Sequence, residues 1–115
     1  MDITAIQNKL RKFTQDRDWE QYHTPKNLSM AMAAEVAELV EIFQWMTPEE
    51  AVAVKNTPNL KSAVEDEIAD VMNYILRITD VLDIDLERTV LNKIDKNAIK
   101  YPPAGSKTPR SKRGM

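Results

Sequence analysis

Cysteine is absent from this sequence, which excludes disulfides, thiolate nucleophiles, zinc fingers and iron–sulfur clusters. Glycine occurs only at Gly105 and Gly114, so neither a Gly-rich phosphate loop nor a dinucleotide-binding fingerprint can be built. The single histidine, His23, is too little for a site needing two imidazoles, such as the paired Glu-x-x-His motifs of di-iron bundles. Apolar runs of membrane-spanning length are missing, and Met1-Asp2-Ile3 lacks the charged and apolar parts of a secretion signal. A cytoplasmic protein without a membrane partner is therefore expected.

What is present describes one globular domain. Apolar residues make up 43% of the 115 positions and charged residues 30%. The net charge of −2 conceals an asymmetry. Residues 102–115 carry Lys107, Arg110, Lys112 and Arg113 and no acid, leaving 12 of the 16 basic residues against all 18 acids, a body charge of −6. A free duplex-binding domain carries the opposite balance, so no nucleic-acid partner is expected. A body this acidic would need a metal between itself and a polyanionic ligand.

The chain reads as all-α, four main helices and one short one. Ile3, Ile6, Leu10 and Phe13 recur at helical spacing, which predicts a helix over 2–17. Residues 18–27 have no period and read as a ring-rich loop. A second helix is predicted over 28–46. Thr47-Pro48-Glu49-Glu50 is a capped restart that opens a short helix ending near Asn56. A long helix follows from Asn59 or Leu60 to about Leu82, and a last one over 85–100, stopped by Tyr101-Pro102-Pro103. Residues 1–101 form the expected domain, and 102–115 read as a basic, disordered tail.

The acids are placed unusually. Side chains three apart share a helix face. Glu35, Glu38 and Glu41 form one such row in a helix otherwise apolar nearly all round, which predicts that this helix is buried. Glu67, Asp70 and Asn73 repeat the pattern in the long helix. Like charges in a row repel by about 0.2–0.5 kcal/mol even when exposed, and burial raises the cost to several kcal/mol or forces protonation. No cation stands at i+3 or i+4 from any of these carboxylates. Two readings follow: solvated acidic stripes, or carboxylates neutralised by a divalent cation. All-oxygen donors would select Mg²⁺ or Mn²⁺ over zinc or iron.

Glu35-Val36-Ala37-Glu38-Leu39 with Phe43-Gln44-Trp45, then Glu67-Ile68-Ala69-Asp70-Val71 with Tyr74, closely resemble the MazG-like nucleotide pyrophosphohydrolases, nearest the dCTP pyrophosphatase type. The likeness runs upstream through Arg17-Asp18-Trp19-Glu20-Gln21-Tyr22-His23 and downstream through Lys93-Ile94-Asp95-Lys96-Asn97 and Lys100-Tyr101-Pro102. It implies an all-α enzyme that cuts a nucleoside triphosphate to the monophosphate and pyrophosphate with Mg²⁺, Mn²⁺ being a possible substitute. It also implies a homo-oligomer, a tetramer built as a dimer of dimers, with a dimer as the smaller possibility.

By the same resemblance Glu35, Glu38, Glu67 and Asp70 are the metal ligands. Any of these four, or Glu41 or Glu65, could accept the proton from water, and Glu38 is the expected one. Trp19, His23, Trp45 and Tyr74 are implied around the base, and Lys93, Asn97, Lys100 and Tyr101 along the substrate. Lys93, Asn97 and Lys100 also share a face of the last helix, which by itself fits an ordinary solvated basic face. Phe13 and Phe43 are assigned to the core. The leftover apolar faces, with Met30, Met32, Ile75, Ile78 and Val81, imply partner helices. Two alternatives stand beside this reading: a non-catalytic helical interaction module, and a dUTPase-like or phosphoribosyl-ATP pyrophosphohydrolase-like relative.

Overall fold

The computed structural model describes residues 1–104, and among them the chain forms five α-helices and no strand. These are α1 (Ile3–Asp16), α2 (Pro25–Phe43), α3 (Pro48–Ala53), α4 (Pro58–Val81) and α5 (Leu86–Lys100). Short 3₁₀ turns occupy Glu20–Tyr22 and Val54–Asn56. The all-α class is as expected. The tail expected to be disordered lies, from residue 105 on, outside the described residues.

Local chemistry sets the helix starts. Asp2, Thr24, Thr47 and Asp85 each accept a hydrogen bond from a backbone N–H three residues on, satisfying a donor that the first turn leaves unpaired. At Thr47 the bond is reciprocal: the Glu50 N–H donates to Thr47 at 3.1 Å, and the Thr47 N–H donates to the Glu50 carboxylate at 3.0 Å. Helix α2 begins three residues earlier than expected, because Thr24-Pro25 repeats the cap-and-proline signal of Thr47-Pro48. It also ends three residues sooner, at Phe43, which leaves Trp45 outside it. Thr57 precedes Pro58 in the same way but does not cap: its hydroxyl donates back to the Ala53 carbonyl at 3.1 Å.

The end of α1 sets the position of Trp19. Asp18 adopts a left-handed backbone, φ 56°, which aspartate tolerates better than most residues. The Asp18 N–H then donates to Gln15 O at 3.1 Å and the Trp19 N–H to Thr14 O at 3.0 Å. This is a Schellman closure, and it fixes the backbone of Trp19 against the last turn of α1.

Contacts divide the chain into two units, Met1–Asp83 and the segment from Ile84 onward. In the first, α4 is the central element: α2 packs along it, and α1 and the Val54–Asn56 turn pack beside. Leu28 of α2 and Leu76 of α4, 2% and 1% exposed, anchor the core with Val54. Two polar ties fix α1 to α4. The Gln7 amide donates to the Thr79 hydroxyl at 3.1 Å, and the Arg11 guanidinium forks onto the Asp80 carboxylate. The second unit contains α5, on which Val90, Leu91, Ile94 and Ile99 are exposed.

The expectation that α2 is a buried helix does not hold for one chain. Only Leu28 of its residues is buried, while Met30, Val36 and Val40 are exposed. Covering every face of α2 takes more apolar surface than the other helices of a chain this size offer. Truncating Leu76 to alanine should lower the unfolding free energy by about 2–5 kcal/mol, read from urea melts, as expected when a cavity opens in so small a core.

Candidate active site

Helices α2 and α4 bring carboxylates together. Ligand oxygens of Glu35, Glu38 and Glu67 all lie within 4.8 Å of one another. Glu35 and Glu67 are half-buried and Glu38 is exposed. The Oε2 atoms of Glu35 and Glu67 are buried with no hydrogen-bond partner among the described residues. Buried carboxylate oxygens are normally bonded, and an orphan pair points to something missing between them.

The electrostatics agree. Hydrogen bonding of its protonated form to Glu35, then burial, then the charge of Glu38, push the Glu67 carboxyl up to about 7. A proton is one remedy for such a cluster, and a cation is the other. Three clustered carboxylates, two of them with a buried unpartnered oxygen, and no nitrogen or sulfur donor among them fit a hard divalent ion. Glu35, Glu38 and Glu67 would hold it. Asp70, the fourth expected ligand, is not within this cluster. It lies one helical turn on and lines an adjoining cavity.

That cavity has a volume of about 570 Å³ and is walled by α1, by the segment that follows it and by α4. Trp19, His23, Asp70, Asn73, Tyr74 and Arg77 supply its aromatic and polar lining. Trp19 stands edge-on to Phe13, with centroids 5.7 Å apart, and tilted to His23 at 6.3 Å. Phe13 is therefore not the core residue that its helical spacing implies. It is 45% exposed, borders the cavity, and carries the Arg17 guanidinium 3.6 Å above its ring. Tyr74 links cavity and cluster: burial, then the charges of Glu35 and Asp70, raise its phenol above the ordinary value.

Of the base-side residues expected from sequence, the structure gathers Trp19, His23 and Tyr74 at this cavity. It does not bring Trp45 there: that ring is 89% exposed and absent from the lining. Lys93, Asn97, Lys100 and Tyr101 belong to the second unit. There Lys93 and Lys100 are exposed, Asn97 and Tyr101 are half-buried, and the Lys100 ammonium sits 5.2 Å from the Tyr101 ring centroid. Sequence reasoning missed Lys9 and Arg77, both at the cavity. Arg77 was detectable, as a charge seven residues beyond Asp70 inside the apolar run Ile75-Leu76-Arg77-Ile78.

The raised Glu67 carboxyl makes stability depend on pH. Between the ordinary glutamate value of 4.5 and about 7, the folded chain binds a proton that the unfolded chain does not. Metal-free stability should therefore fall as pH rises through that window. His23, held below 6.5 by burial and by Arg77, works with the opposite sign just below 6.5. Comparison with Glu67→Gln, which retains His23, isolates the carboxyl. Thermal melts in EDTA should show a downward slope that is lost in the variant and in millimolar Mg²⁺ or Mn²⁺. Parallel pH profiles for both proteins would count against the coupled carboxylates.

Residues 30–113 match the MazG-like family. Over 91 residues the chain is 40% identical to human dCTP pyrophosphatase 1 and 38% identical to the rat protein, covering 79% of this chain and 54% of each relative. The chain thus spans about half the length of the curated relatives it matches. The crystal structure of a pyrophosphatase from Archaeoglobus fulgidus superimposes with a TM-score of 0.81 at 41% identity, covering 90% of this chain and 94% of that one. With its paired carboxylate helices and a family match over most of its length, the chain belongs to the MazG-like family.

Proposed function

We propose that the protein is a divalent-cation-dependent nucleoside triphosphate pyrophosphohydrolase. It hydrolyses a deoxynucleoside triphosphate, dCTP or a related pyrimidine nucleotide, to the monophosphate and pyrophosphate. The observation that carries this reading is the Glu35–Glu38–Glu67 cluster, with its two orphaned oxygens, adjoining the ring-lined cavity. The names of its pyrophosphatase relatives support the reaction class, and the two that are dCTP pyrophosphatases support the base. Removal of unwanted nucleotides from the cytoplasmic pool is the corresponding role. Among the described residues no helix is long and apolar enough to cross a membrane.

Mg²⁺ or Mn²⁺, when bound, supplies positive charge against the phosphates and acidifies the attacking water. The chain's own residues divide the remaining work. Water adds at one of the phosphorus atoms flanking the α–β bridge and the bond from that phosphorus to the bridging oxygen breaks, so that pyrophosphate departs after attack at the α-phosphorus and the monophosphate after attack at the β-phosphorus, with the same two products. Glu38 takes the proton released, because it is the member of the cluster open to solvent, whereas Glu35 and Glu67 are partly enclosed. Asp70 completes the acidic wall on the cavity side. Trp19 and Tyr74 offer faces for a base, and His23 an edge contact. Trp45 is retained as a base-side residue, and Lys93, Asn97, Lys100 and Tyr101 as substrate-binding residues, each to be judged by substitution.

Residues 1–101 are taken as the catalytic domain, acting as a homotetramer of paired dimers. The exposed apolar side chains of Met30, Val36 and Val40 on α2, and of Ile68 and Val81 on α4, support a second copy as their cover. Light scattering at micromolar concentration should return an oligomer, and a monomer would contradict the assembly.

Pyrophosphate release from a panel of dNTPs and phosphoribosyl-ATP, with Mg²⁺ and with EDTA, tests the reaction and the base together. Orthophosphate as the product, or turnover in EDTA, would sink it. Glu38→Gln should lower kcat by about 10²–10⁴-fold, the usual range for a lost general base, and Asp70→Asn should abolish turnover, both with unchanged helical content. Trp19→Ala should raise KM more than it lowers kcat, since a base contact is made in the ground state too.

A further inference from the structure

The most buried cation of the first unit has no part in the proposed hydrolysis. Arg77 is 7% exposed, yet it lines the cavity. Its guanidinium donates twice. Nε–H goes to the imidazole Nδ1 of His23 at 3.3 Å, and Nη1–H to Asp80 Oδ2 at 3.1 Å. Asp80 is in turn gripped by Arg11 from α1, through Nε and Nη2. The chain of contacts therefore runs Arg11, Asp80, Arg77, His23, and joins α1, α4 and the segment before α2.

This arrangement decides the state of the histidine ring. A guanidinium only donates, so the nitrogen facing it must offer a lone pair. Nδ1 then carries no proton. A second positive charge beside Arg77 is disfavoured, and burial acts in the same direction, so the ring is held neutral. The proton of a neutral imidazole with a bare Nδ1 lies on Nε2. Charges around the ring come from both helices at the cavity, Lys9 on α1 and Asp70 and Arg77 on α4, with Asp80 and Arg11 behind. The backbone that carries the ring is fixed from the 3₁₀ turn, where the Glu20 carbonyl accepts the His23 N–H at 3.1 Å.

We propose that Arg77 is a positioning residue that locks His23 as a neutral Nε2–H donor at the cavity wall, so that the pocket selects bases presenting a carbonyl oxygen or an unprotonated ring nitrogen at that edge. The inference rests on the cavity being the base pocket. The tilted Trp19 ring, 6.3 Å from His23, provides the stacking face beside that donor. A base presenting an amino group there would set two donors against each other and leave both unpaired, a penalty that polar pockets convert into discrimination. A free imidazole could turn its ring or shift its proton to suit either base. One pinned at Nδ1 has a single option.

His23 is the only histidine, so ¹⁵N-histidine labelling gives one imidazole to observe. Two-bond ¹H–¹⁵N spectra of the full chain should show an unprotonated Nδ1 and a protonated Nε2 at pH 8, with titration below the ordinary histidine range. In Arg77→Met, which has no donor at that position, the Nδ1 signal should move toward tautomer averaging and the titration midpoint should rise. Arg77→Gln places an amide nitrogen the same number of bonds from Cα as Nε, and should restore the Nδ1 signal without restoring the charge. With the preferred dNTP, Arg77→Met should raise KM by about 10-fold and change kcat by less than about twofold, and Arg77→Gln should recover most of the KM. A wild-type ring protonated at Nδ1 overturns the proposal with no variant needed, and so does an Arg77→Met spectrum indistinguishable from wild type. The spectra require no substrate. A wild type that hydrolyses no triphosphate would therefore remove the functional reading while the state of His23 is decided separately.

Discussion

The mutual repulsion of Glu35, Glu38 and Glu67 is the constraint on which the first unit depends. Packing of α2 along α4 buries Leu28 and Leu76, and the same packing forces carboxylates from the two helices within 4.8 Å. An apolar substitution at these positions would pack more easily, since unpaired buried acids oppose folding. The cluster is held instead by core contacts to either side, leaving Glu67 eager for a proton or a cation. The free energy stored in this opposition is what a divalent ion would release on binding, and it ties metal affinity to pH.

Helix α4 connects that cluster to everything else. Glu67, Asp70, Asn73 or Tyr74, Arg77 and Asp80 succeed one another at three- and four-residue steps, so a polar stripe descends through an otherwise apolar helix. Its upper end is acidic and faces the carboxylates of α2. Its middle borders the cavity with Asp70, Asn73 and Tyr74. Its lower end carries a buried cation neutralised by Asp80 and tied to α1 through Arg11. Along one helix the polar stripe thus runs from the carboxylate cluster to the ring-lined cavity and on to the buried Arg77.

The acid rows, the helix count and the capping box at Thr47 were legible in the residues, because they depend on neighbours within one turn, which periodicity and composition reveal. Thr24-Pro25 carried the same start signal as Thr47-Pro48, but the aperiodic rings before it read as a longer loop. The link from His23 to Arg77 spans 54 positions, and no local pattern encodes a pairing across that separation. Phe13 fits the apolar face of α1 by spacing, yet the left-handed turn at Asp18 swings Trp19 back beside it and opens that face to the cavity. Burial of α2 failed as an expectation because the sequence records how much apolar surface exists, not how much of it the neighbouring helices cover.

Anomalous diffraction from crystals soaked in Mn²⁺ tests the carboxylate cluster as a metal site most directly. The expected result is a peak between α2 and α4, bound by carboxylate oxygens of Glu35, Glu38 and Glu67 at the short distances usual for a hard divalent ion. That peak should be lost in Glu67→Gln. A metal-soaked crystal with ordered side chains and no peak at these three glutamates would contradict the assignment.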